Sequence, residues 1–132
     1  MRESYAKAGV PAFVAAFCHQ MREAYSAADL TIARSGAASL TELSQFALPG
    51  ILIPYPFAAE DHQTFNAKIF ERAGAATLLP ERETTGENLA KKLLWFLDDP
   101  VRLATASARA ADLAPIHAAE RVADVLLAAC TP

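Results

Sequence analysis

The sequence lacks several features by which protein classes are recognised. Only two cysteines occur in 132 residues, Cys18 and Cys130, and neither belongs to a CxxC pair or lies at metal-ligand spacing from a histidine. We therefore expect two free thiols in a reducing compartment. No set of His, Cys and Asp residues has the spacing of a ligand set, so the sequence predicts no metal site and no metal cofactor.

Long apolar runs and basic stripes are also missing. No apolar run approaches the roughly 18 residues that indicate a membrane-spanning helix, and no signal-peptide pattern precedes the first polar residues. Lys and Arg number 12 and Asp and Glu 15, which gives a net charge of −3 without a basic surface for nucleic acid. The sequence therefore predicts a soluble, cytoplasmic protein that does not bind nucleic acid.

The chain does contain enough apolar material for a packed core. Hydrophobic residues make up 53% of the sequence and charged residues 20%, which is the composition of a globular domain. A chain of this length buries roughly two-thirds of its unfolded surface on folding. No internal repeat, linker or low-complexity segment divides it, so we expect one domain or part of one.

Apolar runs alternate with helical patterns along the chain. Continuous apolar runs, typical of strands covered on both faces, predict four buried strands at 10–17, 30–33, 51–54 and 75–80. Helices are predicted at 21–25, 38–47, 60–73, 84–97, from Pro100 onward and at 116–129. This order predicts an α/β fold with a doubly wound, Rossmann-like parallel sheet and a helical tail.

Four strands are few for a complete sheet of this kind, so we expect the first βα units to be missing. Residues 1–114 are predicted to form the partial sheet domain, and residues 115–132 a C-terminal amphipathic helix. Local signals mark some helix ends: Gly74 as a C-cap, Asp99 as an N-cap followed by Pro100, and a capping box over 84–87.

The stretch 33–42, with the sequence ARSGAASLTE, leads from the second predicted strand into a helix. Small residues there let a ligand approach the backbone, and the helix N-terminus offers unpaired N–H groups to an anion. Glu42 is predicted in the first helical turn, within reach of that anion site. Ser39 and Glu42 also match the S-x-x-E capping box, in which Glu42 only binds the Ser39 backbone N–H. Both interpretations remain open on pattern alone.

Three loops are predicted to leave the carboxyl ends of strands: 17–18, 35–39 and 55–63. Ligands of open parallel sheets bind beyond these ends, so the three loops should line one crevice. The crevice would offer an aromatic ring with free backbone groups, the anion-binding turn with its carboxylate, and a polar cluster at 60–63. A nucleotide needs these parts.

Each candidate residue has a simpler alternative. Phe17 could be a core residue, and Gln63 a solvated helix residue. His62 follows Asp61, but adjacent helical residues face different directions, so a surface histidine is favoured over a catalytic dyad. Arg34 could pair with a nearby carboxylate or contact a phosphate.

Several segments together resemble a known family. They are FCHQM at 17–21, RSGA at 34–37, IPYP at 53–56, DHQ at 61–63 and AERVA at 119–123. In this order and spacing, the sequence resembles the C-terminal half of the MurG family of UDP-N-acetylglucosamine–N-acetylmuramyl-(pentapeptide) pyrophosphoryl-undecaprenol N-acetylglucosaminyltransferases. The resemblance implies the donor-binding half of a GT-B glycosyltransferase that transfers N-acetylglucosamine (GlcNAc) to lipid I, with inversion and without a required metal. Lipid II, a peptidoglycan precursor, is the product.

The resemblance also implies roles for individual residues. Phe17 and the backbone of Cys18 would hold the uracil, and Glu42 the ribose hydroxyls. Gln63, with His62 beside it, would bind GlcNAc hydroxyls. Backbone groups of Ala37, Ala38 and Ser39 would approach the pyrophosphate and sugar, and Ser35 and Gly36 of the same turn would also bind UDP-GlcNAc. Relatives commonly carry Ile in place of Cys18 and Leu-Thr in place of Ala38-Ser39.

No catalytic residue is expected in this chain by that resemblance. Lipid I would bind through an N-terminal domain that the sequence lacks, and the full-length protein would be peripheral to the cytoplasmic face of the bacterial inner membrane. The chain alone is therefore expected to be inactive. Two alternatives stay open: a donor-binding or non-catalytic subunit completed by a separate membrane-associated chain, and another UDP-sugar transferase of the same fold.

Overall fold

The structure is a computed structural model and describes residues 2–130. Three short strands form one parallel sheet in the order β1–β2–β3: β1 is Thr31–Ala33, β2 is Gly50–Leu52 and β3 is Ala76–Leu78. Over residues 2–130 the helices are α1 Arg2–Lys7, α2 Met21–Ser26, α3 Ala37–Gln45, α4 His62–Ala73, α5 Gly86–Leu97, α6 Pro100–Asp112 and α7 Ala118–Cys130. Short 3₁₀ turns, Ala59–Asp61 and Glu81–Glu83, precede α4 and α5.

Helices cover both faces of the sheet. Because successive strand side chains point to opposite faces, Ile51 and Leu52 of β2 enter different clusters. Leu52 joins a cluster with Leu40, Leu43, Leu48, Ala67, Phe70, Ala75, Ala76 and Ala110. Ile51 joins a smaller cluster with Leu79, Phe96 and Ala106. The predicted doubly wound parallel fold is confirmed for this part of the chain.

The predicted helix ends are confirmed at two places and shifted at a third. Gly74 ends α4 with φ 78, a left-handed conformation that glycine adopts without strain. Asp99 caps α6 by accepting hydrogen bonds from the N–H groups of Val101 and Arg102 at 3.0 and 3.1 Å. The capping box predicted over 84–87 is wrong by one residue, because Thr85 is the N-cap and accepts from the Asn88 N–H at 3.1 Å.

The first predicted strand does not form. Residues 10–17 run without strand pairing, and Phe13 and Phe17 are 89% and 71% exposed. A strand needs a neighbour to take up its backbone hydrogen bonds and a core to take its side chains. The sheet within residues 2–130 therefore has three strands, not four.

The predicted tail helix does form, as α7. Its apolar stripe is exposed, with Val122, Val125 and Leu126 between 60% and 70% accessible. Residue 1 of the predicted 1–114 domain and residues 131–132 of the predicted tail lie outside the described residues, and the division itself stays a prediction. No helix within 2–130 has both the length and the apolar character needed to cross a membrane.

Candidate functional site

Ser35 links the turn after β1 to the start of α4 through two hydrogen bonds. Ser35 is fully buried, and its hydroxyl donates to the Gln63 carbonyl at 2.7 Å. The Asn66 side chain returns a second bond, donating to the Ser35 carbonyl at 3.1 Å. Two of the predicted loops, 35–39 and 55–63, are therefore held together at the carboxyl end of the sheet.

The N-terminus of α3 is free of side-chain caps. Gly36 is the N-cap residue, in an extended conformation with φ −67° and ψ 144°, and within residues 2–130 no side chain caps the helix. The first turn of an α-helix leaves such N–H groups without backbone acceptors, and the helix dipole adds positive potential there. Ala37 and Ala38 are exposed at this end, so the backbone is accessible to an anion.

The predicted capping box at Ser39 and Glu42 is wrong. Because α3 begins at Ala37, Ser39 lies inside the helix and Glu42 lies in its second turn rather than its first. The Glu42 carboxylate has another partner: its Oε2 accepts from the Tyr25 hydroxyl at 2.8 Å. The carboxylate is therefore free of any local capping role.

Tyr25 belongs to α2 and packs against the core beside Glu42. Its ring lies 5.4 Å from the Phe46 ring, between centroids, at an interplanar angle of 40°. Burial, and then the hydrogen bond to the Glu42 carboxylate, raise the pKa of Tyr25 to about 12. Sequence patterns did not single out Tyr25 as a site residue, since they only placed it in the short helix predicted at 21–25.

The loop before α4 is sharply bent. Glu60 and Asp61 both have positive φ, 52 and 53, a conformation uncommon for residues with a side chain. The bend ends at His62, whose Nδ1 lies 2.7 Å from the Ala59 carbonyl. A carbonyl can only accept, so Nδ1 carries the proton, and in the neutral ring Nε2 is left as an acceptor. The expectation that His62 does not pair with Asp61 agrees with this geometry.

Gln63 is half-buried rather than a solvated helix residue. Its side-chain oxygen accepts from the Tyr55 N–H at 3.0 Å, which ties the loop after β2 to the first turn of α4. The amide nitrogen of the Gln63 side chain takes no part in this bond.

Arg34 pairs with a carboxylate, which decides between its two alternatives. Its guanidinium contacts the Glu81 carboxylate and donates to the Ile53 and Pro54 carbonyls at 3.3 and 3.1 Å. This pairing raises the pKa of Arg34 and lowers that of Glu81. The guanidinium also lies 5.6 Å from the centre of the Tyr55 ring. Arg34 therefore braces the ends of β1 and β2 against the segment after β3.

Phe17 and Cys18 lie in the exposed amino-terminal segment. Phe17 is 71% exposed, so the alternative that it is a core residue is wrong, and its ring makes an edge contact with His19 at 4.7 Å. Cys18 is half-buried with a free thiol. The contacts described for residues 2–130 do not join this pair to the Ser35–Gln63 link or to Glu42.

The described residues do not converge on a metal site. Within 2–130, no group of three His, Cys, Asp or Glu side chains is arranged to hold an ion. The polar groups near the strand ends include the backbone N–H groups at the start of α3, the side-chain amides of Gln63 and Asn66, and the Arg34–Glu81 pair.

These features define the class of protein: an open parallel α/β domain in which the loops after β1 and β2 meet beyond the carboxyl ends of the strands. The chain belongs to the glycosyltransferase family 28 C-terminal domain family, whose sequence profile matches residues 1–125.

Individual relatives agree with that assignment. The chain is 42% identical over 128 residues to the UDP-N-acetylglucosamine–N-acetylmuramyl-(pentapeptide) pyrophosphoryl-undecaprenol N-acetylglucosamine transferase of Syntrophus aciditrophicus, covering 97% of this chain and 36% of that protein. The enzyme of the same name from Chromohalobacter salexigens is 46% identical over 118 residues, covering 89% and 32%. The chain thus spans about a third of the length of these relatives.

Solved structures resemble it in the same way. The crystal structure of Acinetobacter baumannii MurG matches with a TM-score of 0.84 and 33% identity, over 94% of this chain and 38% of that one. The domain therefore has the fold of the C-terminal part of a GT-B glycosyltransferase. Spinosyn forosaminyltransferase SpnP shares the fold alone, at a TM-score of 0.58 and 16% identity over 81% of this chain and 28% of that one.

Proposed function

We propose that this chain is the donor-binding part of an inverting glycosyltransferase that moves GlcNAc from UDP-GlcNAc to lipid I to form lipid II. The relatives' names supply the substrates, and one observation in this chain supports the donor site. The Glu42 carboxylate lies on the same helix as the uncapped N-terminus of α3, which follows the carboxyl end of β1. A nucleoside diphosphate presents a diphosphate and a ribose diol, which fit these two groups.

The spacing along α3 supports this fit. Glu42 follows Ala37 by five residues, and at about 1.5 Å rise per residue it lies roughly 7 Å further along the helix axis. A nucleoside diphosphate can extend over that distance from the ribose hydroxyls to the outer phosphate. We therefore assign the backbone of Ala37, Ala38 and Ser39 to the diphosphate and Glu42 to the ribose.

The remaining residues of the proposed site hold the two ends of the donor. Phe17 and the Cys18 backbone contact the uracil, which would cover the exposed Phe17 ring. Gln63, with its amide nitrogen, and His62, with its Nε2, contact hydroxyls of GlcNAc. Ser35 and Gly36 shape the turn, since the Ser35 hydroxyl is already engaged by the Gln63 carbonyl.

The proposal leaves the chemical step outside this chain. No residue of this chain is assigned as the general base. Lipid I binds through a further domain of the full-length protein. The full-length protein acts without a metal. The proposal includes a cytoplasmic location for that protein, peripheral to the inner membrane.

Replacement of Glu42 tests the ribose contact. In the full-length protein, Glu42→Ala should weaken UDP-GlcNAc binding at least about tenfold, since one hydrogen bond to a charged group is worth roughly 1.5–3 kcal/mol. Isothermal titration calorimetry measures the effect. Glu87→Ala is the matched control, because Glu87 is an exposed residue of α5 that pairs with Lys91 at 2.7 Å, away from Glu42. Unchanged affinity of Glu42→Ala would remove the ribose role.

A further inference from the structure

We propose that Tyr25 is a positioning residue for the donor: its hydroxyl orients the Glu42 carboxylate so that the other oxygen faces the ribose. This inference rests on the proposed function, in which Glu42 contacts the ribose hydroxyls. It adds a residue from α2, which lies outside the three loops at the strand ends.

The hydrogen bond from Tyr25 leaves one oxygen of the Glu42 carboxylate open. Tyr25 supplies one O–H to Oε2, at 2.8 Å, and a phenol has only one proton to donate. The other oxygen, Oε1, keeps its lone pairs and can accept from neighbouring hydroxyls. A carboxylate with one oxygen held and one oxygen open is suited to a vicinal diol, because both diol hydroxyls can donate to the open oxygen.

Glu42 needs such a partner because its side chain is exposed. An exposed glutamate samples several rotamers, and a ligand that selects one of them loses that freedom on binding. The Tyr25 bond restricts the carboxylate before the ligand arrives. Part of the ordering cost is then removed from the binding step.

Tyr25 is itself well fixed. Its ring packs on Phe46 and against the buried cluster of α3, α4 and α6, so the hydroxyl has a defined position. A tyrosine side chain has few rotatable bonds to order. Its raised pKa keeps it protonated, and therefore a donor, at any pH at which the enzyme would be assayed.

The competing role for Tyr25 is purely structural, as the residue that docks α2 onto the core. Tyr25→Phe separates the two roles because it keeps the ring and its packing on Phe46 but removes the hydroxyl. The probes are UDP and 2′,3′-dideoxy-UDP, measured by titration calorimetry on the full-length protein. If Tyr25 acts through the ribose, UDP affinity falls roughly three- to tenfold and dideoxy-UDP affinity does not change.

Equal losses for both nucleotides would show that Tyr25 only supports the fold, and no loss for UDP would also overturn the proposal. In a Glu42→Ala background, Tyr25→Phe should add nothing further, since the group that it orients is gone. Tyr5→Phe is the matched control, because Tyr5 lies on α1 at 41% exposure.

The same variants separate this inference from the function on which it rests. If Glu42→Ala leaves UDP affinity unchanged, the ribose contact fails and the role of Tyr25 fails with it. If Glu42→Ala weakens UDP and Tyr25→Phe does not, the donor site stands and only the positioning role is wrong.

Discussion

The central region, residues 30–113, and the terminal segments, 2–20 and 114–130, use apolar residues in opposite ways. Within residues 2–130, every buried residue lies in the central region, from Ser35 to Ala110. The terminal segments contain apolar residues too, but Phe13 is 89% exposed and Val125 is 70% exposed. Apolar side chains therefore stabilise this chain only where the sheet and its covering helices provide a surface for them.

The two terminal segments also differ from each other. The hydrogen bonds of a helix are local, so α7 forms over Ala118–Cys130 with its stripe exposed. The hydrogen bonds of a strand come from distant residues, so the apolar run at 10–17 stays without strand pairing. The helix α7 therefore forms without a partner surface, whereas the run at 10–17 does not form a strand without one.

The largest expected effect contrasts two phenylalanines from these regions. Phe96 is 1% exposed in the cluster under β2, so Phe96→Ala should lower the free energy of unfolding by about 3–5 kcal/mol. Phe13→Ala should change it by less than about 0.5 kcal/mol. Urea unfolding followed by circular dichroism measures both. A large loss from Phe13→Ala would mean that the amino-terminal segment contributes to the core.

A smaller effect contrasts two glycines. A Cβ at Gly50 would lie 2.5 Å from Thr31 Cγ2 and 2.8 Å from the Thr31 carbonyl oxygen, so Gly50→Ala should force β1 and β2 apart and cost about 1–3 kcal/mol. At Gly86, in the first turn of α5, no neighbouring atom of residues 2–130 lies within 4 Å of the added carbon. Gly86→Ala should be neutral or stabilising by up to about 1 kcal/mol. Thermal unfolding distinguishes the two, and equal shifts would contradict the close strand contact.

The predicted elements that formed are those whose signals are local. Apolar runs predicted strands at 30–33, 51–54 and 75–80, and β1, β2 and β3 lie within two residues of those bounds. Gly74 ends α4 and Asp99 begins α6, both as predicted, since a cap depends on a few neighbouring residues.

The details of the site depend on contacts between distant residues. The Tyr25–Glu42 bond joins residues 17 apart, and the Arg34–Glu81 pair joins residues 47 apart. No local pattern reports such partners, and the S-x-x-E spacing at Ser39 allowed a capping box that the helix start at Ala37 rules out. Topology did bring the turns at Ser35 and Gln63 together, because parallel strands end at the same edge.

The smallest effect concerns Tyr25, at the boundary between the two regions. Its pKa is raised from 10.0 to about 12 in the folded chain, so the folded state prefers the protonated phenol. This contribution to stability is fully present below pH 10 and is lost as the pH rises from 10 toward 12. Tyr25→Phe should cost about 1 kcal/mol at neutral pH and should reduce the fall in unfolding free energy over that alkaline range. Tyr5→Phe is the control on the exposed helix α1, and its unfolding free energy should fall over the alkaline range as much as that of the unsubstituted chain. Denaturant unfolding at pH 8, 10 and about 11 measures the difference. If the unfolding free energies of Tyr25→Phe and of the unsubstituted chain fall in parallel as the pH rises, the Tyr25 phenol titrates alike in the folded and unfolded states.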